Sequence, residues 1–153
     1  MHFSTTVATA LLGASAVLAS PSARKVDARS SETVAVTDFF VHEVLTTAAN
    51  STSAVVDSVA FTINAVEATN LACFAETGVP SEVVTCGDSK YRFALYPGTA
   101  SYDSFALRLY HETGLASGRY GEGPIPVYCH AGGGEALACS QVITPVHLII
   151  DSD

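Results

Sequence analysis

The sequence predicts an all-β protein, a single compact antiparallel β-barrel or sandwich stapled by disulfides. Three observations lead there. Apolar and polar residues alternate with period two along much of the chain beyond residue 32, as half-buried strands require. Glycine and proline punctuate that alternation at short intervals: Gly78-Val79-Pro80, Gly87-Asp88-Ser89, Pro97-Gly98, Gly114, Gly118, Gly121 to Pro126 and Gly132 to Gly134. Four cysteines, Cys73, Cys86, Cys129 and Cys139, fall as two close pairs. An even count in an exported chain points to disulfides.

Export is read from the first residues. A short opening with His2 but no lysine or arginine precedes an apolar stretch from Val7 to Leu18. Val17-Leu18-Ala19 then supplies the small-residue pattern of a cleavage site, so residues 1–19 are expected to be a signal peptide. The run falls short of the about 20 apolar residues that a membrane span needs. No membrane insertion is expected, and the expected location is extracellular. Residues 20–32 are small and polar with Arg24, Lys25 and Arg29, and read as a flexible leader. Residues 33–153 remain as one domain, long enough for one core.

Within the domain, Val34 to Leu45 is the first strand-like run, rich in Val with adjacent aromatics. Thr46 to Ser53 reads as an exposed loop, and it holds the one N-glycosylation sequon, at Asn50. Val55 to Val66 alternates, with Val55, Val59, Phe61, Ile63 and Ala65 on one face and Asp57 interrupting it. Ala65 to Ala75 is compatible with a short helix, but a strand is favoured. Tyr91 to Tyr96 follows, then Ser104 to His111 with Phe105, Leu107 and Leu109 on one face, then Pro126 to Ala131 and Gln141 to Ile150. Strands this short and closely spaced suit a sandwich or barrel.

Four cysteines allow three connectivities. Joining near neighbours encloses 12 residues in one loop and nine in the other, and that arrangement is favoured. Each would lock a strand-turn-strand connection.

The composition excludes several functions. The formal net charge is -8, and three of the seven basic residues lie in the leader, so the folded part is more acidic still. Such a surface repels phosphate backbones and anionic lipid. There is no Gly-x-Ser-x-Gly elbow and no His-Glu-x-x-His helix. His42, His111, His130 and His147 share no helical metal spacing and are expected to be surface or edge residues. The carboxylates are scattered, tryptophan is absent, and Gly132 to Gly134 suits a hairpin turn better than a phosphate cradle. No catalytic residue, metal ligand or cofactor is expected. Candidate partner contacts lie in two expected loops, Tyr96 to Asp103 and Leu115 to Pro126. They are Tyr96, Tyr102, Arg119 and Tyr120, of residue types enriched at binding hot spots.

One stretch carries a family likeness. Tyr128-Cys129-His130-Ala131-Gly132-Gly133, followed by Cys139-Ser140-Gln141, resembles the Tyr-Cys-x-Ala-Gly-Gly…Cys signature of the Alternaria major-allergen family of small secreted fungal proteins. Phe61 to Ala65 leading to Cys73, Thr85-Cys86-Gly87, and Asp38-Phe39-Phe40 are similar to the same family's central and opening segments. The resemblance covers about Val34 to Ile150, and Pro97 to Pro126 matches it poorly. It implies a β-barrel with disulfides Cys73–Cys86 and Cys129–Cys139 and no enzymatic activity. It also implies an effector or elicitor that provokes plant defence responses and cell death. The implied partner is a host plant protein, such as a thaumatin-like pathogenesis-related protein or a surface receptor. Some members form dimers through an additional cysteine near the mature amino terminus. This chain has none before Cys73, so a monomer or non-covalent oligomer is expected. An aromatic-ligand carrier is the alternative reading, and a secreted hydrolase is the third.

Overall fold

The computed structural model describes residues 30–48, 51–76, 82–97, 104–131 and 133–152. Nine strands make it up: β1 (Glu32–Ala48), β2 (Ser51–Ala65), β3 (Ala68–Ala75), β4 (Val84–Thr85), β5 (Tyr91–Pro97), β6 (Ser104–Gly114), β7 (Ser117–Ala131), β8 (Ala136–Gln141) and β9 (Val146–Ile150). All pairings are antiparallel, in the order β3-β2-β1-β8-β7-β6-β5-β4. β1 is long enough to hold two partners on one side, β9 along Glu32–Val36 and β8 along Phe40–Val44. The Cys73–Cys86 disulfide ties β3 to the residue directly after β4, bringing the two ends of that order into a nearly closed barrel. The second disulfide, Cys129–Cys139, joins directly opposed residues of β7 and β8. The favoured near-neighbour pairing is therefore the one found.

β-Bulges set which side chains point inward. A register shift between Thr37 and Phe40, with Asp38 at φ 55°, moves the inward phase of β1 by one residue. Val34 and Val36 are buried before it, and Phe39 and Val41 after it, while Phe40 is turned out. A second shift skips Asp57 in β2, so Val56 approaches the core and Val55 is exposed. Val55 therefore does not share the face of Val59, Phe61 and Ile63 expected from simple alternation. One added residue reverses every side chain beyond it. The interior is filled by Phe39, Phe61, Phe93 and Phe105 with Leu95, Leu107, Leu109 and Ile125. Phe61 and Phe93 meet edge to face at 4.9 Å between centroids.

Several sequence expectations shift. Thr46 to Ser53 is largely a paired ladder, with Thr46 opposite Ser53 and Thr47 opposite Thr52, and Asn50 lies outside the described residues. Ala65 to Ala75 contains no helix: β2 ends at Ala65 and β3 begins at Ala68. Gln141 to Ile150 is two elements, because Pro145 has no N–H for a ladder and sits in the turn between β8 and β9. Leu115 to Pro126 is a strand from Ser117 onward. Its glycines are there for close approach: a Cβ on Gly121 would strike the carbonyl of Ile149 in β9, and one on Gly123 the side chain of Leu148. Gly121→Ala is expected to cost about 1–3 kcal/mol through forced separation of β7 and β9, seen as a lower thermal unfolding midpoint.

Candidate functional site

At one end of the barrel the inward faces of β1, β5, β6 and β7 bring together four polar side chains. Glu32 carries no exposed side-chain surface. Its Oε1 accepts from the Tyr91 hydroxyl at 2.6 Å and the Val66 N–H at 3.1 Å. Its Oε2 lies 2.7 Å from His111 Nδ1 and accepts from Arg119 Nη1 at 3.1 Å. Tyr91 and His111 stack at 4.1 Å, and His111 Nε2 is buried 3.6 Å from the Glu67 carboxylate with no hydrogen-bond partner. His111 is thus a core residue, contrary to the surface or edge position expected for the histidines. The other three are exposed or half-buried, with His42 beside Asp57 at 3.0 Å. Glu32, placed by sequence at the end of the leader, is the first residue of β1.

Burial alone would raise the Glu32 pKa. Hydrogen bonds from Tyr91, His111 and the Val66 amide outweigh it and hold the carboxyl below the ordinary glutamate value of 4.5. Burial and the Glu32 acceptor push the Tyr91 hydroxyl well above its usual range, so it stays a donor. With its folded pKa lowered, Glu32 contributes stability that is complete above the unfolded value. That contribution is lost as the pH falls through the folded value. Denaturation measured at descending pH below 4.5 is expected to show this loss, and Glu32→Gln to remove that part of the acid dependence.

Outside this network the β5–β7 wall carries a groove of about 620 Å³. Lys90, Arg92, Tyr110, Glu112, Arg119 and Tyr120 line it together with the β6–β7 turn. Tyr110 and Tyr120 face each other across β6 and β7 and stack at 6.3 Å. Arg92 donates to Glu112 at 2.9 Å, and Lys90 lies 3.4 Å from Glu67. Arg119 and His111 join the two regions, since both line the groove and both meet Glu32 from inside. Nothing in this geometry presents an activated nucleophile. The groove offers Arg119 anchored from beneath, Lys90 and Arg92 paired at the surface, and a tyrosine platform.

Of the expected contacts, Arg119 and Tyr120 are brought together in the groove. Tyr96 is apart from them, in a hollow of about 220 Å³ with Glu43, Val55, Leu95 and Phe105. Burial there raises the Glu43 pKa. Tyr96 also belongs to β5, and the Arg108 guanidinium lies 5.2 Å from its ring. Tyr102 lies outside the described residues. Sequence reasoning missed Lys90, Arg92 and Tyr110. Register explains the omission: Arg92, Tyr110 and Tyr120 are directly opposed on successive strands, a neighbourhood visible only once pairing is known.

Comparison with known proteins decides the family. The family model described as Alternaria alternata allergen 1 matches residues 36–139. The chain belongs to the Alternaria alternata allergen 1 family. A relative within reach is effector protein PevD1 of Verticillium dahliae, 40% identical over 157 residues that cover 99% of this chain and 95% of the relative. Two crystal structures of the Alternaria alternata allergen Alt a 1 share the fold. One has a TM-score of 0.57 at 20% identity, covering 79% of this chain and 87% of the other. The second has 0.60 at 17%, covering 79% and 94%. The span matched by the allergen 1 model includes every groove-lining residue but not Glu32 or β9.

Proposed function

We propose that this chain is a secreted fungal effector. It induces plant defence responses and cell death by binding host components, without catalysis. The observation that carries the reading is the 40% identity to effector protein PevD1, which extends over nearly the whole of both chains. The two disulfides, with no free cysteine among the described residues, suit an extracellular site of action. The partner is a host plant protein, with a thaumatin-like pathogenesis-related protein or a surface receptor as the first candidates. The contact face is the tyrosine- and arginine-bearing wall of β5–β7, since these residue types dominate binding energy at interfaces. The filled interior argues against the alternative of an aromatic ligand carried inside the barrel.

Infiltration of the purified mature protein into leaves of several plant species tests the reading. Native protein is expected to elicit a defence response or necrosis, and reduced, heat-unfolded protein to elicit none. Silence in every host would sink the effector reading. A response that survives unfolding would assign the activity to a linear segment rather than to the barrel.

A further inference from the structure

β1 carries a second inward-facing carboxylate. After the bulge at Asp38 the inward phase of the strand runs Phe39, Val41 and then Glu43. Glu43 stands opposite Val56 of β2 and Leu137 of β8, both packed against the core. It lies at the end of the barrel away from Glu32, where β5 ends at Pro97 and β6 begins at Ser104. The hollow of about 220 Å³ is found there, at the mouth and beyond the filled interior. Val55, Val56, Leu95, Pro97 and Phe105 wall it around the carboxylate, together with Tyr96.

The two carboxylates are held in opposite ways. Glu32 meets four donors, whereas Glu43 meets none among the described residues. Its Oε2 lies 4.0 Å from the Cys139 sulfur, which as half of a disulfide has no proton to donate. No cation is left over for it either. Beyond Arg29 the sequence holds four lysines and arginines, and each already has a carboxylate: Lys90 with Glu67, Arg92 with Glu112, Arg108 with Glu122 and Arg119 with Glu32. Arg108 lies over the Tyr96 ring but gives both Nε and Nη2 to Glu122. The paired histidines are committed to Asp57, Glu32 and Glu67. Burial with neither donor nor cation raises the Glu43 pKa above the ordinary 4.5. A half-buried carboxylate against apolar walls lacks the partner that a charge in such a place requires.

We propose that this hollow is a binding site for a small organic ammonium, a primary amine on a short arylalkyl or branched aliphatic body. The ammonium, protonated at neutral pH as lysine is, meets the Glu43 carboxylate and supplies the missing charge and donors. Its apolar body lies against Val55, Val56, Leu95 and Phe105. Size limits the class, since the hollow is smaller than the about 300–1,000 Å³ of sites for drug-sized ligands. Charge limits it further: Glu43 is the one charged residue of the lining, so carboxylates and phosphates are repelled. The site is separate from the β5–β7 groove, and the proposal stands or falls independently of the effector reading.

Amide NMR of the purified mature protein, titrated with phenethylamine, phenethyl alcohol and hydrocinnamate, tests it directly. The amine is expected to shift the signals of Val55, Val56 and Tyr96 to saturation. The alcohol should bind roughly tenfold or more weakly, and hydrocinnamate not at all. Glu43→Gln removes an unpaired charge and should fold as well as the unmodified protein, yet lose roughly tenfold or more in affinity for the amine. Ala54→Phe, which fills the hollow and leaves the carboxylate in place, should lose binding too. By linkage, the amine should lower the pH at which the Glu43 carboxyl carbon signal titrates. Tyr96 of β5 is the one other titratable side chain of the lining, and β2, β6 and β8 present apolar residues to Glu43. Equal binding of amine and alcohol, undiminished binding to Glu43→Gln, an unmoved Glu43 titration or no binding of the amine would each overturn the proposal. Binding of an Nα-acetyl-lysine amide without binding of phenethylamine would give the hollow to a partner's lysine side chain and overturn the small-ligand assignment.

Discussion

Glu32→Ala is expected to lower the stability of the mature protein by about 3–5 kcal/mol, the range for removing one partner of a buried charge pair. The substitution strands four donors at once: the Tyr91 hydroxyl, His111 Nδ1, Arg119 Nη1 and the Val66 amide. None of the replacement's atoms can accept from them, and water has little access, since His111 is 1% exposed. Urea denaturation followed by tyrosine fluorescence measures the loss as a lower midpoint. Glu32→Gln keeps the shape and one acceptor, so it should lose less, with the same sign. A midpoint unchanged in Glu32→Ala would mean that the network is ornamental to the fold.

Replacing Cys73 and Cys86 together by alanine is expected to cost about 3 kcal/mol in loop entropy for a loop of this size. A further loss comes from the two core-facing sulfurs, because both residues are essentially buried. The bond also ties β3 to the residue directly after β4, across the seam between the two ends of the sheet order. Removing Cys129 and Cys139 gives up similar loop entropy and the burial of Cys139, but Cys129 is only partly buried and β7 and β8 already oppose those residues in a ladder. The first double variant should therefore unfold at lower denaturant than the second. The reverse order would show that the seam between β3 and β4 is held by something other than the disulfide.

Much of this fold was legible in the chain. Alternation located β6 with its inward Phe105, Leu107 and Leu109, and the spacing of the cysteines favoured the pairing that the structure has. What stayed hidden follows from physics that a local pattern does not carry. Val55 fell on the wrong face because Asp57, visible in the sequence only as an interruption of the apolar face, is the extra residue of a bulge. The Gly121 to Pro126 stretch reads as a turn, yet the glycines admit the β9 backbone, which only the packed structure supplies. Glu32 looks like the tail of a polar leader, and its burial depends on Tyr91, His111 and Arg119, residues 59, 79 and 87 positions away. The groove was half legible: four cations between residues 90 and 119 can be seen in the chain, but only strand register turns them into one surface.

The double partnership of β1 has a consequence for how the protein is made. Glu32 pairs with Ile150, and Phe40 with Ser140, so the first strand to emerge from the ribosome finds its partners among the last. Contacts of such sequence separation form late and slowly. A chain still being synthesised cannot close this barrel, whatever hairpins it makes on the way. The same strand order that completes the barrel therefore delays its closure until β8 and β9 are both available to β1.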